Sequence, residues 1–214
     1  NSLSALCEKT GADIEELSKA IGMDHRIGPH FLKASVGFGG SCFQKDILNL
    51  VYLCRHYGLE EVAEYWHQVV KINDYQKNRF AQKIIDHFGG DLTGKKIAIL
   101  GWAFKANTND SRESPAIDVA AKLLRAGAVL QIYDPMVSKE SIFRDIDFYW
   151  EASKINELKS RITVLDSMSK LDFSFDAAAL LTEWQEFKNL DFSNQLVFDG
   201  RGILSSSFYS IGKG

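Results

Sequence analysis

Apolar residues first recur at helical spacing at Leu3, Leu6 and Cys7, with Gly11 as a stop. Asp13 and Glu16 stand three apart, the spacing of a capping box, ahead of a second predicted helix that ends near Gly22. From Gly22 to Ser41 the glycines and Pro29 interrupt every period, so this stretch predicts a long loop, and long ordered loops usually carry function. Helical spacing returns at Ile47, Leu50, Val51 and Cys54, predicting a helix that starts near Lys45 or Asp46. A further run from Leu59 through Val62, Trp66, Val69, Phe80, Ile84 and Phe88 predicts a very long helix. Its apolar residues wrap round much of the circumference, so a partner subunit is expected to bury it together with its own domain.

The pattern changes at "FGGDLTGKK", and beyond it short β-rich runs alternate with helices. "KIAILG" and "VLQIYD" read as buried strands. Between them "SPAIDVAAKLLRAGA" reads as a helix with Ser114 as N-cap, Pro115 in the first turn and Gly127 at the stop. "RITVL", "DAAALL" and "QLVFD" predict further strands. Strand, helix, strand with right-handed crossovers implies a doubly wound parallel sheet. The expected fold is α/β, with an all-helical region over 1–90 followed by a Rossmann-like domain over 91–214.

Composition narrows the function classes. With 45% hydrophobic and 25% charged residues in 214, and three prolines, the chain is globular. A formal net charge of −3 provides no broad cationic field, which argues against a general nucleic-acid or membrane-surface binder. No apolar run reaches the roughly 18 to 20 residues a membrane helix needs, and no signal-peptide pattern opens the chain. A cytoplasmic location is expected. The chain starts at Asn1 within a helical pattern and is expected to be a fragment of a longer protein.

The three cysteines have no C-x-x-C spacing, which favours reduced thiols over a disulfide framework or a zinc site. Cys7 and Cys54 fall on apolar helical faces and read as small core residues. Cys42 differs, because it ends the glycine-rich stretch "VGFGGSCFQKD" just before a helix. A thiol there meets helix N-terminal amides and a nearby ammonium, both of which favour thiolate. Gly37, Gly39 and Gly40 allow a bulky ligand to approach the backbone and the sulfur. Asp46, one turn on, is placed to take a proton from the thiol or from a water; spacing alone leaves a tight turn with an ordinary helix-start carboxylate equally open. "GSCF" is close to the papain-like signature, but that signature has a second cysteine where Gly39 stands and Trp or Tyr where Phe43 stands. The five histidines, between His25 and His87, also lie far short of its partner position roughly 130 to 150 residues downstream.

"GMDHRIG", "FLKASVGFGGSCFQKD", "VVKINDYQKNRF", "KIAILGWAFKANTNDSRES", "TEW" and "FDGR" together resemble the UDP-glucose 6-dehydrogenases of the UDP-glucose/GDP-mannose dehydrogenase family, along the whole chain. "CFQKD" points to the UDP-glucose branch. The resemblance implies NAD-dependent, two-step oxidation of UDP-glucose to UDP-glucuronate, with NAD as cofactor. Cys42 would carry the thiohemiacetal and thioester and Asp46 would assist proton transfer. It implies a UDP-sugar site formed by Phe31, Leu32, Lys33, Ser35, Gly37, Phe38 and Gly39, with Phe104, Lys105 and Arg201. Arg26 would reach the neighbouring subunit's substrate, and Lys45 and Arg112 would approach NAD. The family's N-terminal NAD-binding domain would precede Asn1, because no G-x-G-x-x-G occurs here, so the chain alone is expected to be inactive. A homodimer through the long helix is implied, and no metal. Asp134, ending "IYD", matches either a ribose-binding acid or a strand-end turn before Pro135. The alternatives are a non-catalytic nucleotide-sugar-binding and dimerisation module, or a UDP-sugar dehydrogenase of other sugar preference.

Overall fold

The computed structural model describes residues 1–151 and 155–214. The helical region opens with α1 (Ser2–Thr10) and α2 (Ile14–Gly22), and the Asp13 side chain caps α2 by accepting from the Glu15 N–H. The face that α1 buries carries Ser4 and Cys7, while Leu3 and Leu6 lie exposed. The apolar reading of that face is therefore corrected: a buried serine, held by hydrogen bonds to Asn1, Gln76 and Arg79, takes an inward position. No helix or strand interrupts 24–41, as the glycines and Pro29 predict.

Helix α3 (Phe43–His56) starts two to three residues earlier than the apolar period indicates, with Cys42 itself at the N-cap position. The polar first turn Gln44–Lys45–Asp46 hides this start from a hydrophobicity reading. Helix α4 (Glu60–His87) runs 28 residues without a break, about 42 Å at the usual rise. Its first half packs on α3 around Ile47, Val51, Cys54, Ala63 and Val70. Its second half enters the main core through Phe80, Ala81, Ile84 and Ile85.

That core centres on a six-stranded, wholly parallel sheet in the order β3-β2-β1-β4-β5-β6: β1 (Lys96–Leu100), β2 (Val129–Tyr133), β3 (Ile162–Val164), β4 (Ala177–Leu180), β5 (Val197–Asp199) and β6 (Tyr209–Ser210). The order reverses between β1 and β4, the position where open α/β sheets form a ligand crevice. Ile97, Ile99 and Leu100 of β1 and Ala177 to Leu180 of β4 are fully buried, as expected for a sheet covered on both faces. Helix α5 (Pro115–Arg125) follows the predicted caps: Ser114 Oγ accepts from the Ala116 N–H and Pro115 is the first helical residue. Helices α6 (Lys139–Tyr149) and α7 (Ile155–Ser160), and strand β6, have no counterpart in the sequence reading. Between β4 and β5 there is only the four-residue α8 (Gln185–Lys188), and β5 crosses to β6 with no helix at all.

Candidate active site

The stretch 34–41 threads between α4 and the C-terminal ends of the sheet strands, and its backbone groups find partners on both sides. Toward the sheet, the Val36 N–H donates to Gly200 O at 2.6 Å and the Gly40 N–H to Arg112 O at 2.8 Å. Toward α4, Gln76 Nε2 donates to Ser35 O at 2.7 Å. Asn73 closes a two-point bracket on Phe38: Oδ1 accepts from its N–H at 2.8 Å and Nδ2 donates to its carbonyl at 3.0 Å. Gly39 is required by close approach, since a Cβ there would lie 2.3 Å from Glu113 O. Glu113 itself adopts φ 54, an unusual value for a residue with a side chain, and its carboxylate accepts from Gln44 Nε2 at 3.0 Å.

Cys42 emerges from this loop at the head of α3 with its side chain exposed. Ser41 Oγ lies 3.6 Å from Sγ. The Asp46 N–H donates to Cys42 O at 2.9 Å, closing the first helical turn, so Cys42 and Asp46 share one side of that turn. Asp46 and Lys45 are both exposed and face each other at 3.4 Å. Phe43, the residue after Cys42, packs edge-on against Phe38 at 4.6 Å between centroids. Arg112 is exposed and pairs with Asp110 at 2.9 Å; that hydrogen bond, chiefly, holds the guanidinium above its ordinary pKa, with a further contribution from Cys42.

Lys33, Ser35 and Arg201 line one small cavity of about 160 Å³ together with Glu183. Arg201 is buried there. Its Nε donates to Leu181 O at 2.6 Å and its Nη2 to Phe104 O at 2.8 Å, and Glu183 Oε2 stands 3.3 Å from Nε. Burial pulls this guanidinium below its ordinary pKa, against the opposing pull of Glu183 and Asp199. The turn that delivers Arg201 is built on Asp199, whose carboxylate accepts from the N–H groups of Arg201, Gly202, Ile203 and Leu204. The lining brings two cations, Lys33 and Arg201, to one carboxylate, Glu183, and a ligand phosphate can meet both; Asp199, beside Arg201 but outside the lining, offsets part of that charge. Phe104 also packs against Gly40, and Lys105 extends over the Phe104 ring at 5.4 Å.

Other expected contacts lie apart from this cavity. Leu32 and a fully exposed Phe31 line a separate cavity of about 140 Å³ with Asn1, Ile14 and Ile21. Arg26, 78% exposed, is held by Asp24 at 2.6 Å within its own loop. A larger cavity of about 910 Å³, between 188–197 and 203–208, contains none of the expected site residues.

Asp134 resolves as the turn residue. Oδ2 accepts from the Trp102 and Ala103 N–H groups and from Trp184 Nε1, and Oδ1 from the Met136 and Val137 N–H groups. A carboxylate saturated by five protein donors has nothing left for a ribose, and the turn after β1 carries Gly101 without further glycines. This sheet is not fitted for a dinucleotide. Among the described residues no group of three His, Cys, Asp or Glu side chains is placed to hold a metal ion.

Asn73, Gln76, Lys77, Glu113, Glu183 and Asp199 are the residues the sequence reading misses. The first three share a face with Phe80 and Ile84 at spacings of three and four, a signal that counting only apolar positions overlooks.

Two family models match the chain. The central-domain model of the UDP-glucose/GDP-mannose dehydrogenase family covers residues 1–75, and its UDP-binding-domain model covers 98–206. The chain is 47% identical over 238 residues to UDP-glucose 6-dehydrogenase 2 of Oryza sativa subsp. japonica, a match taking in 100% of this chain and 49% of that protein. Against UDP-glucose 6-dehydrogenase of Gallus gallus the identity is 50% over 212 residues, covering 95% and 43%. A solved UDP-glucose dehydrogenase from Pyrobaculum islandicum superposes with TM-score 0.80 at 30% identity, covering 98% of this chain and 45% of that one. The chain spans about half the length of the curated relatives it matches.

Proposed function

The chain belongs to the UDP-glucose/GDP-mannose dehydrogenase family, and from that premise we propose that it supplies the nucleophile and the UDP-sugar surface for oxidation of UDP-glucose to UDP-glucuronate. The observation that carries this reading is one continuous loop. Its first part, with Lys33 and Ser35, lines the cationic cavity with Arg201, and its end presents an exposed cysteine at a helix N-terminus. Lys33 and Arg201 meet the diphosphate and Phe104 and Lys105 the nucleoside side, while Ser35, Gly37, Phe38 and Gly39 wrap the sugar; Phe31 and Leu32, which line a separate cavity in the single chain, flank that site at the start of the loop.

NAD, when bound, supplies the electron acceptor for both oxidations; Lys45 and Arg112, exposed beside Cys42, are the groups of this chain that approach it. Cys42 Sγ adds to the C6 aldehyde left by the first oxidation, forming a thiohemiacetal that holds the aldehyde in place. Loss of the C6 hydrogen with its electron pair, together with release of the hydroxyl proton, gives the thioester. Water then attacks the acyl carbon, the C–S bond breaks with Sγ as leaving group, and Asp46 accepts a proton from the water.

In this reading residues 1–90 are the helical dimerisation region and 91–214 the UDP-sugar domain, a division supported by family models that fall on either side of it. The protein pairs through the long helix α4, whose Val62, Tyr65 and Trp66 stay exposed in the single chain beside Tyr52 and Leu53 of α3 and Tyr57 and Leu59 of the turn between the two helices, and Arg26 reaches across to the partner's sugar. Cys7, Cys42 and Cys54 are free thiols, in keeping with a cytoplasmic location. No described helix is long and apolar enough to cross a membrane.

Isothermal calorimetry of the 214-residue chain with UDP-glucose tests the binding half. Heat of binding is expected for the parent and loss of it for Arg201→Met, and a parent that binds neither UDP-glucose nor UDP removes the proposal.

A further inference from the structure

The polar face of α4 serves no purpose that burial alone explains. Asn73 is 1% exposed, Gln76 0% and Lys77 6%, on a helix whose next inward residues are Phe80, Ala81 and Ile84. Polar side chains at such depth are retained where specific partners satisfy them, and here the partners of the first two are backbone groups of the nucleophile loop: Phe38 for Asn73, Ser35 for Gln76. The Lys77 stem lies against Gly37, where a Cβ would come 3.0 Å from Cγ, while its ammonium is held by Asp118 at 2.6 Å and Asp74 at 3.0 Å.

We infer that Asn73 is a positioning residue for Cys42, acting through Phe38. Its carboxamide fixes both hydrogen-bonding groups of the Phe38 peptide, the Phe38 ring locks edge-on against Phe43, and Phe43 is the residue bonded to Cys42. Only three residues separate Phe38 from Cys42, and two of them, Gly39 and Gly40, have no side chains with which to hold the loop. Without the bracket, the glycine segment keeps only the Gly40 N–H to Arg112 O bond and its packing on Glu113 and Phe104, and the thiol shifts from its place on the first turn of α3. This deepens the proposed nucleophile role and rests on it for its functional meaning, but the positional claim is measurable without turnover.

The test is alkylation of the 214-residue chain by iodoacetamide at neutral pH, followed thiol by thiol by mass spectrometry, with the buried Cys7 and Cys54 reporting whether the fold holds. Asn73→Leu is expected to slow Cys42 alkylation by about threefold or more, because the thiol loses the favourable field of the helix start, while Cys7 and Cys54 stay protected. Asn73→Asp, which keeps an acceptor for the Phe38 N–H, is expected to recover part of the rate. A merely structural role for Asn73 would lower the melting midpoint and leave the Cys42 rate alone; an unchanged or raised rate with the other two thiols protected overturns the inference. Should Asn73→Leu expose Cys7 and Cys54, Phe38→Leu decides. It keeps the backbone bracket and removes only the ring contact, so a slowed Cys42 supports the inference and an unchanged one overturns it. Protection of parent Cys42 by UDP-glucose is read separately: its absence counts against the nucleophile reading and leaves the positional result standing.

Discussion

At the scale of single residues, a dense polar cluster lies away from the cysteine, around Glu8. Its carboxylate accepts from Tyr209 OH at 2.7 Å and the Gly212 N–H at 2.9 Å and pairs with Arg79 at 2.6 Å, joining α1, α4 and the end of the chain. Burial alone would push this carboxyl up, but these three donors outweigh it and hold it below its usual 4.5. A carboxylate whose folded pKa is depressed contributes stability that is complete above its unfolded pKa and is lost as pH falls through the folded one. The melting temperature of the parent is therefore expected to drop as pH falls below about 4.5. Glu8→Gln should lose on the order of 3 kcal/mol at pH 7, where Arg79 is left without its anion, and should show a flatter acid limb; an equally steep limb would show that the titration lies elsewhere. None of this was legible from Glu8 in the sequence, since its partners lie some 70 and 200 residues away. Cys42 was legible because glycines on one side and a helix on the other mark it locally.

Among the elements, α4 shows best what periodicity reveals and what it hides. The repeat of apolar residues gives its length and predicts that more than one neighbour covers it, yet Val62 and Trp66 prove to be exposed in the single chain. If these residues form the proposed subunit contact, Val62→Glu with Trp66→Glu should convert the dimer to a monomer in analytical ultracentrifugation with little change in far-ultraviolet dichroism, because neither residue supports its own chain's core. A double variant that still sediments as a dimer would place the contact on another face. The start of α3 was displaced in the sequence reading because its first turn is polar, and β6 went unseen because two residues carry no period. Strands β1 and β4, continuous apolar runs, and β2, apolar except for Gln131, are plain in the sequence.

The whole molecule is organised by two aspartates at the C-terminal ends of strands. Asp134 after β2 gathers five donors from the β1 and β2 loops and from Trp184; Asp199, the last residue of β5, gathers four backbone N–H groups. Replacing either by asparagine turns an amide NH₂ toward a donor. Each change is expected to cost about 1–3 kcal/mol in denaturant unfolding, with Asp199→Asn also weakening UDP-glucose binding through Arg201 and Asp134→Asn sparing it. Equal effects on binding would mean that the Asp199 turn is not what aims the guanidinium. Sequence alone left Asp134 between ribose and turn, because a strand-end acid looks the same in both; only the three-dimensional count of donors separates them. The unbroken course of α4 has a mechanical corollary. Its sheet end is clamped at Phe80 and Ile84, and Asn73 lies about 10 Å and Val62 about 27 Å along the axis from Phe80. As a stiff lever pivoting at that clamp, it would translate a shift of about 2 Å at its far tip into nearly 1 Å under the cysteine loop, a misplacement able to change a reaction rate about a hundredfold. In the proposed dimer, assembly at one end of the rod would thus set the mechanical tolerance for the proposed chemistry at its middle.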